Sequence, residues 1–365
     1  MKLVYVSSST LFSKSANSLH VMKMAKGFSK LIDEVELIVR DISDNKNCYE
    51  YYDVEESFEI VNMKVNKFKK TAPFIYLLKN FGRFNKRFKD PNIIFFGRDI
   101  LTLSIFTFFS NNVSIELHSI SNSIIKNWML KTLIKYKRFK KIIVISEALK
   151  HDVITKYNAD ENNILVAHDG ADLQNIDNHE YINKIGYVGS INKGRGIELI
   201  ISLARKMKNL EFHIVGGTKI ELMEKLNVSE FPDNLILHGY LSQNEIKKFI
   251  SEMYIMLAPY QRKVGNSAKN SDTAKWMSPI KIFEYMSFSK AIIVSHIKVL
   301  EEIIEPNKNA VFANHQDVKD WELKILKLIN NSDYHQNIKK NAYRTLKEKY
   351  TWDNRTNNIL KFIMK

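Results

Sequence analysis

Residues 185–215 read IGYVGSINKGRGIELIISLARKMKNLEFHIV, and this stretch sets the fold class. Ile185 to Val188 is a short apolar run that predicts a buried strand. Gly189 to Gly196 is a glycine-bearing loop. Ile197 to Met207 repeats its apolar residues at helical spacing. Glu211 to Val215 predicts the next strand, closing on Gly216 and Gly217. Strand, loop, helix and strand in this order form the unit that builds a parallel sheet.

The same rhythm continues outward. Toward the C-terminus, Leu235 to Leu237, Ile255 to Ala258 and Ala291 to Val294 predict strands, with helices over Gln243 to Met253 and Ile280 to Ser287. Toward the N-terminus, Lys2 to Ser7 predicts a first strand. A helix follows from about Ser18, carrying Leu19, Met22, Met24, Ala25 and Phe28, and then a strand from Val35 to Val39. Ile93 to Phe96, Val113 to Leu117 and Ile142 to Ile145 read as further buried strands. The polar stretch Asp169 to Asn183 separates the two cycles as a linker. The expected fold is α/β, with two Rossmann-like domains whose parallel sheets face each other across a cleft.

Composition agrees. A chain of 365 residues suits two domains. Hydrophobic residues make up 45% and charged residues 26%, a globular balance. Cys48 is the single cysteine, which excludes an internal disulfide framework and a Cys-built zinc or iron–sulfur site. The opening MKLVYVSSS reads as a strand and not a signal peptide. The apolar stretch Ile93 to Phe109 is broken by Arg98 and Asp99 and is too short to span a bilayer. A soluble or peripheral protein is expected.

The net charge is +15, and the excess is uneven. Residues 64–89 hold nine basic side chains and no acidic one, interleaved with Phe68, Phe74, Tyr76, Leu77, Phe81, Phe84 and Phe88. Residues 126–141 hold seven more, again without Asp or Glu. Such segments attract nucleic acid, anionic lipid or a phosphorylated substrate; a solvated lysine-rich face is the plainer reading.

Two motifs carry chemistry. In the loop Gly189 to Gly196, backbone N–H groups and a helix N-terminus can approach a phosphate closely. Arg195 stands where a nucleotide-hydrolysing P-loop has Lys, and Gly196 where it has the Ser or Thr that ligates magnesium. The loop therefore reads as a diphosphate site using Arg195 or as a plain tight turn. The second motif is 272–286, DTAKWMSPIKIFEYM. Ser278 suits an N-cap and Pro279 the first helical position. Lys281 in the first turn opposes the helix dipole unless it faces an anion. Glu284, one turn on, can hold vicinal sugar hydroxyls, or simply pair with Lys281.

Taken together, GYVGSINKGRGIELI, EFHIVGG, LHGY, MLAPY, TAKWMSPIKIFEYM and KAIIVS resemble the nucleotide-sugar-binding half of a GT-B glycosyltransferase of the family 4 type. The N-terminal half is similar in SANSLHVMKMA, the strand–Gly–Arg98 segment, IELH with His118, VISEALK and HDGAD; the ending YTW before a last helix is similar too. The resemblance implies an acceptor-binding domain over residues 1–170, joined by a last helix at about 352–365, and a nucleotide-sugar-binding domain over 171–351. It implies that Arg195 and Lys281 neutralise a nucleotide diphosphate, that Glu284 holds the ribose, and that Gly239 and Tyr240 lie near the base. Gly189, Ser190, Gly216, Asp272, Thr273, Met277, Ser278, Pro279 and Ile280 complete the donor side. Ser15, Asn17, His20 and Arg98 face the acceptor, with His118 at the transferred sugar. Two positions depart from the family: Trp276 replaces a Glu eight residues before Glu284, and Ser190 replaces an Arg.

The implied reaction is sugar transfer with retention from a nucleoside-diphosphate-sugar to a saccharide or lipid-linked saccharide. Its growing diphosphate charge would be met by Arg195, Lys281 and the helix start. The nucleotide sugar is then a substrate and no cofactor is needed. No Asp-x-Asp pair occurs, so no metal is expected. The basic aromatic segments suggest a peripheral position on the anionic inner face of the cytoplasmic membrane. Lys, Asn and Ile usage points to a bacterial genome and to surface polysaccharide or glycolipid synthesis. Two alternatives stand beside this: a catalytically idle GT-B partner subunit, and a basic nucleic-acid-binding protein. The second lacks any recognisable nucleic-acid module, so no nucleic acid partner is expected.

Overall fold

The computed structural model describes residues 1–365 except 14–15, 67–70, 137–138, 140, 176–178, 227–229 and 265–273. The chain divides into two units: Met1–His168 with Trp352–Lys365, and Asp169–Thr351.

The first unit carries β1 (Lys2–Val6), β2 (Thr10–Leu11), β3 (Glu34–Val39), β4 (Asp41–Ile42), β5 (Glu59–Asn62), β6 (Ile93–Gly97), β7 (Val113–Leu117), β8 (Lys141–Val144) and β9 (Ile164–Val166). Seven of these form one parallel sheet in the order β5-β3-β1-β6-β7-β8-β9, while β2 and β4 pair separately. Leu3 sits between Val35 and Ile94 in register. β6 and β7 are buried along their whole length, and β6 accordingly reads as a continuous apolar run.

The second unit carries β10 (Tyr181–Val188), β11 (Glu211–Val215), β12 (Leu235–Leu237), β13 (Met253–Ala258), β14 (Ala291–Ser295) and β15 (Val311–Ala313). They form a second parallel sheet in the order β12-β11-β10-β13-β14-β15. Its core joins Tyr187, Ile197, Ile201 and Phe212 to Ile255, Ile293, Trp321 and Ile338. The expected α/β class with two parallel-sheet halves is what the chain forms.

Three expectations need correction. The linker is shorter than Asp169–Asn183, because β10 begins at Tyr181, where Tyr181 pairs with Met253. The first half of that strand, Tyr181 to Lys184, lies outside the core and mixes apolar with polar residues, which hid it. The aromatics between residues 74 and 88 are largely core: Tyr76, Phe84 and Phe88 are buried, and Phe84 and Phe88 pack on Phe95 and Phe106. Phe74 is the exposed one, and Phe68 lies outside the described residues. Arg83 pairs with buried Glu36 at 3.3 Å, and Lys79 donates to the Met63 carbonyl, so part of that basic run ties the unit together. Short strands β5, β9 and β15 escaped the sequence pattern because three or four residues carry too little periodicity.

A polar network locks the second unit internally, and a packed pair of helices closes the first. In the second unit the fully buried Lys290 donates to Glu180 and to the carbonyls of Ser251 and Met253, and Lys339 also reaches Glu180. In the first unit the last helix, Trp352–Ile363, lies on the first helix, Ala16–Ser29. Contact is close: a Cβ on Gly27 would stand 2.7 Å from the Thr356 side chain.

Candidate functional site

In the second sheet β11 lies on one side of β10 and β13 on the other. Connections leaving β10 and β13 therefore diverge at their carboxyl ends, and the gap between them is where open α/β sheets take ligands. The loop Gly189–Gly196 follows β10, and Pro259 follows β13. Gly196, at φ 77°, caps the helix Ile197–Lys206 so tightly against the Pro259 carbonyl that a Cβ would meet its oxygen at 1.8 Å.

Gly189 does a different job. Its φ is 148°, and a Cβ there would stand 2.4 Å from Lys281 Nζ. The missing side chain is the space that the Lys281 ammonium fills. That ammonium lies 3.9 Å from the centre of the Tyr187 ring and 5.3 Å from that of Tyr260. The Arg195 guanidinium carbon stands 5.5 Å from the same Tyr260 ring, and its Nε has no hydrogen-bond partner. Two cations thus gather around one aromatic ring. Burial first, then Arg195 beside it, hold the Lys281 pKa well below the ordinary lysine value, with Glu284 opposing. A bound anion would relieve both causes.

The supporting residues are placed as follows. The helix Ile280–Ser287 carries Lys281 and Glu284 in successive turns, both half-buried. Its cap is Pro279, not Ser278; the Ser278 hydroxyl instead accepts from the Asp169 N–H at 2.7 Å. Ser278 therefore ties the start of the unit to this helix and does not cap it. Tyr285 accepts from the Val188 N–H at 2.8 Å and fixes the helix under β10. Met277 is buried, Trp276 and Ile280 half-buried. Ser190 is exposed, and its carbonyl accepts from Tyr187 at 2.8 Å. Gly216 donates to the Gly239 carbonyl at 2.7 Å, joining the ends of β11 and β12. The exposed Tyr240 hydroxyl donates to Glu221 at 2.9 Å. Asp272 and Thr273 lie outside the described residues. A cavity of about 610 Å³ beside the loop is lined by Lys193, Glu198, Arg262 and His315, not by Arg195 or Lys281. It is separate from the paired cations, and the cations are the stronger guide to the chemistry.

The first sheet has the same reversal, between β3 and β6 on either side of β1. Asn17 and His20 stand on the helix after β1, Arg98 directly after β6, and His118 directly after β7. Arg98 Nη1 donates to Asn17 Oδ1 and lies 3.4 Å from His20 Nδ1. The His20 and His118 rings meet edge to face at 4.9 Å. Ser15 lies outside the described residues. Sequence reasoning missed two members of this cluster. Glu116 is fully buried and contacts His118, His20 and Arg355. Burial works to raise its pKa, but Arg355 and the two histidines outweigh it and hold the carboxyl well below the usual range. The available signal was the one charged residue, Glu116, in the buried strand β7. Tyr187 and Tyr260 were missed as well, since aromatic residues in strands ordinarily mean core.

Comparison with known proteins gives these features a setting. Residues 172–345 match the model of the family described as glycosyl transferases group 1. The chain is 22% identical over 214 residues to an uncharacterised glycosyltransferase, MJ1178, of Methanocaldococcus jannaschii, covering 58% of this chain and 56% of that protein. It is 26% identical over 235 residues to CapM of Staphylococcus aureus, a capsular polysaccharide biosynthesis glycosyltransferase, covering 58% and 57%. The match thus spans somewhat over half the length of these relatives. Among solved structures, Anabaena HepE in complex with UDP and glucose superposes with a TM-score of 0.73 at 14% identity, covering 100% of this chain and 99% of that one. TarM superposes with a TM-score of 0.73 at 13% identity, covering 100% and 98%. At this identity the superpositions establish the fold alone, and the fold is GT-B. Residues 172–345 are therefore similar to the group 1 glycosyl transferases, in a chain of GT-B fold.

Proposed function

We propose that this protein is a retaining glycosyltransferase of the family 4 type. In this reading it moves a sugar from a nucleoside-diphosphate-sugar to a saccharide or lipid-linked saccharide acceptor in bacterial surface polysaccharide or glycolipid synthesis. One observation carries the reading: Arg195 and Lys281 crowd the same tyrosine ring at the switch point of the second sheet. Holding two cations together there is unfavourable, Glu284 offsets this only in part, and a diphosphate supplies the further negative charge. HepE, of the same fold, is described in complex with UDP-glucose, and CapM is a capsule-synthesis glycosyltransferase.

The chemistry follows from the charges. The anomeric C–O bond to the diphosphate breaks while a bond to the acceptor oxygen forms on the same face. The acceptor's proton passes to the departing phosphate oxygen. Arg195, Lys281 and the amide end of helix Ile280–Ser287 stabilise the charge that grows on that oxygen. Glu284 holds the ribose. His118, with His20, Asn17 and Arg98, takes the transferred sugar and acceptor from the first unit. No metal is called for, since the two side-chain cations meet the diphosphate.

The acceptor reading favours a membrane-bound saccharide. No helix among the described residues is long and apolar enough to cross a bilayer. The helix Ile124–Ile134 nevertheless exposes Ile124 at 85%, Ile125 at 69% and Trp128 at 67%, beside exposed Lys126, Lys131 and Lys135. Apolar side chains ringed by lysines fit an anionic lipid surface, here the inner face of the cytoplasmic membrane.

A thermal-shift series with UDP-, GDP-, ADP- and dTDP-sugars tests the donor, because a ligand that binds only the folded state raises the melting temperature. One of them is expected to raise Tm, and acceptor addition is expected to release the nucleoside diphosphate. A protein that binds none, or binds without release, is not this enzyme.

A further inference from the structure

The first unit contains a polar hub that the donor chemistry does not use. One oxygen of Glu116, Oε1, faces three nitrogens: Arg355 Nη2 at 2.9 Å, His118 Nε2 at 2.5 Å and His20 Nε2 at 3.2 Å. Glu116 and His20 are 1% exposed and Arg355 is 3% exposed. Arg355 comes from the last helix and spends its other donors on the carbonyls of Ala167 and His168 and on Met24 Sδ.

Donor and acceptor roles constrain the His118 ring. An ionised carboxylate can only accept, so His118 turns a protonated Nε2 toward it, and in the neutral ring Nδ1 is then the accepting nitrogen. His20 agrees independently: its Nδ1 lies 3.5 Å from the Tyr5 hydroxyl and 3.4 Å from Arg98 Nη1, both donors. In His118 the same arrangement leaves Nδ1 as the base-type nitrogen of a half-exposed ring at the end of β7.

We propose that Glu116 and Arg355 are positioning residues that set the tautomer and orientation of His118, with Nδ1 presented as a hydrogen-bond acceptor to a sugar hydroxyl. This rests on the assignment of His118 to the transfer reaction. Arg355 keeps the buried carboxylate ionised, and the ionised carboxylate keeps the proton on Nε2. A metal is the rival occupant, since these two histidines and the glutamate bring their ligand atoms within 4.8 Å of one another. The Arg355 guanidinium already compensates the same oxygen, so a divalent cation there would meet a fixed positive charge at contact distance.

The test uses the full chain with its assigned donor and acceptor. Long-range proton–nitrogen spectra of the histidine rings should show His118 protonated on Nε2. Glu116→Gln should abolish that preference and lower kcat at least tenfold, with the donor KM within twofold of the parent. Arg355→Lys, which keeps the charge without the fork, should fall between. If Glu116→Gln misfolds because Arg355 is left unpaired, the double variant Glu116→Gln/Arg355→Met removes both charges and carries the same expectation.

Several outcomes would overturn the proposal. One is an unchanged His118 tautomer in these folded variants. Another is a loss of melting temperature with kcat intact, which would mean a structural role only. A third is a zinc-induced rise in melting temperature that His118→Ala abolishes, which would make the cluster a metal site. If the parent protein transfers no sugar, the functional reading fails on its own, and the ring spectra still decide the hub.

Discussion

Lys281 sets its ammonium in the space that a side chain on Gly189 would take, 2.4 Å from where that Cβ would stand. The loop glycine and the helix lysine, 92 positions apart in sequence, are therefore one device. Gly189→Ala must both adopt φ 148° and displace the ammonium. The backbone strain alone costs about 1–3 kcal/mol. Isothermal titration should show at least a tenfold loss of nucleotide affinity, together with a lower Tm; unchanged affinity would separate Lys281 from the nucleotide.

Removing either cation should divide stability from function. Lys281→Met relieves crowding with Arg195 and should leave Tm unchanged or raised. The same change should lower kcat by about 10²–10³, as for loss of one group aimed at developing charge. Arg195→Met should behave alike. Steady-state kinetics and melting curves on the same samples check the split, and a parallel loss of both would reject it.

Lys281 also predicts a proton count. Its pKa is depressed in the free protein, by burial first and Arg195 second, and an adjacent diphosphate raises it again. Between the two values, binding takes up a proton, so affinity falls as pH rises through that window. Titration calorimetry in buffers of different ionisation enthalpy should reveal net uptake. Release, or no exchange at any pH up to the ordinary lysine value, would contradict this.

The lysine-ringed apolar face predicts a separable membrane function. Ile124→Ser with Trp128→Ser should reduce co-sedimentation with anionic vesicles at low salt severalfold. Both side chains are exposed, so folding stability should change by less than about 0.5 kcal/mol. Equal sedimentation of variant and parent would remove this surface from the membrane account.

A last substitution tests the second unit's internal lock. Glu180→Gln leaves Lys290 buried without its partner, and breaking a buried pair in this way costs about 3–5 kcal/mol. Chemical denaturation measures it. Burial lowers the Lys290 pKa to about 8 despite Glu180. Below that value both states hold the proton; between about 8 and the ordinary lysine value the unfolded state holds more, so this group's contribution to stability rises with pH there.

The strands β6, β7, β11 and β14 are legible from sequence because both their faces are buried and apolar residues predominate in each. β10 is legible only in its second half, since Tyr181 to Lys184 emerge from the core. Helix Ile280–Ser287 was placed correctly, but its cap was misread by one residue. The Ser–Pro pair fits either register, and only the Asp169 amide, which takes the Ser278 hydroxyl, decides between them. The chemistry-bearing residues nearest in sequence to a glycine loop or a sheet edge could be nominated from type and spacing. Glu116 and Arg355 could not be paired, because 239 positions separate them and no local pattern encodes a long-range ion pair.

That ion pair has a consequence for biosynthesis. The first unit is mostly translated before the second begins, yet its last segment, Trp352–Lys365, is made after the second. Until then Glu116 has no guanidinium, and the face of the Ala16–Ser29 helix that receives Thr356 is bare. The nascent N-terminal portion must wait on the ribosome incomplete, while the segment made after it has every strand it needs to fold. Order of synthesis and order of completion are therefore reversed, and the histidine cluster is finished only after the second unit has been made.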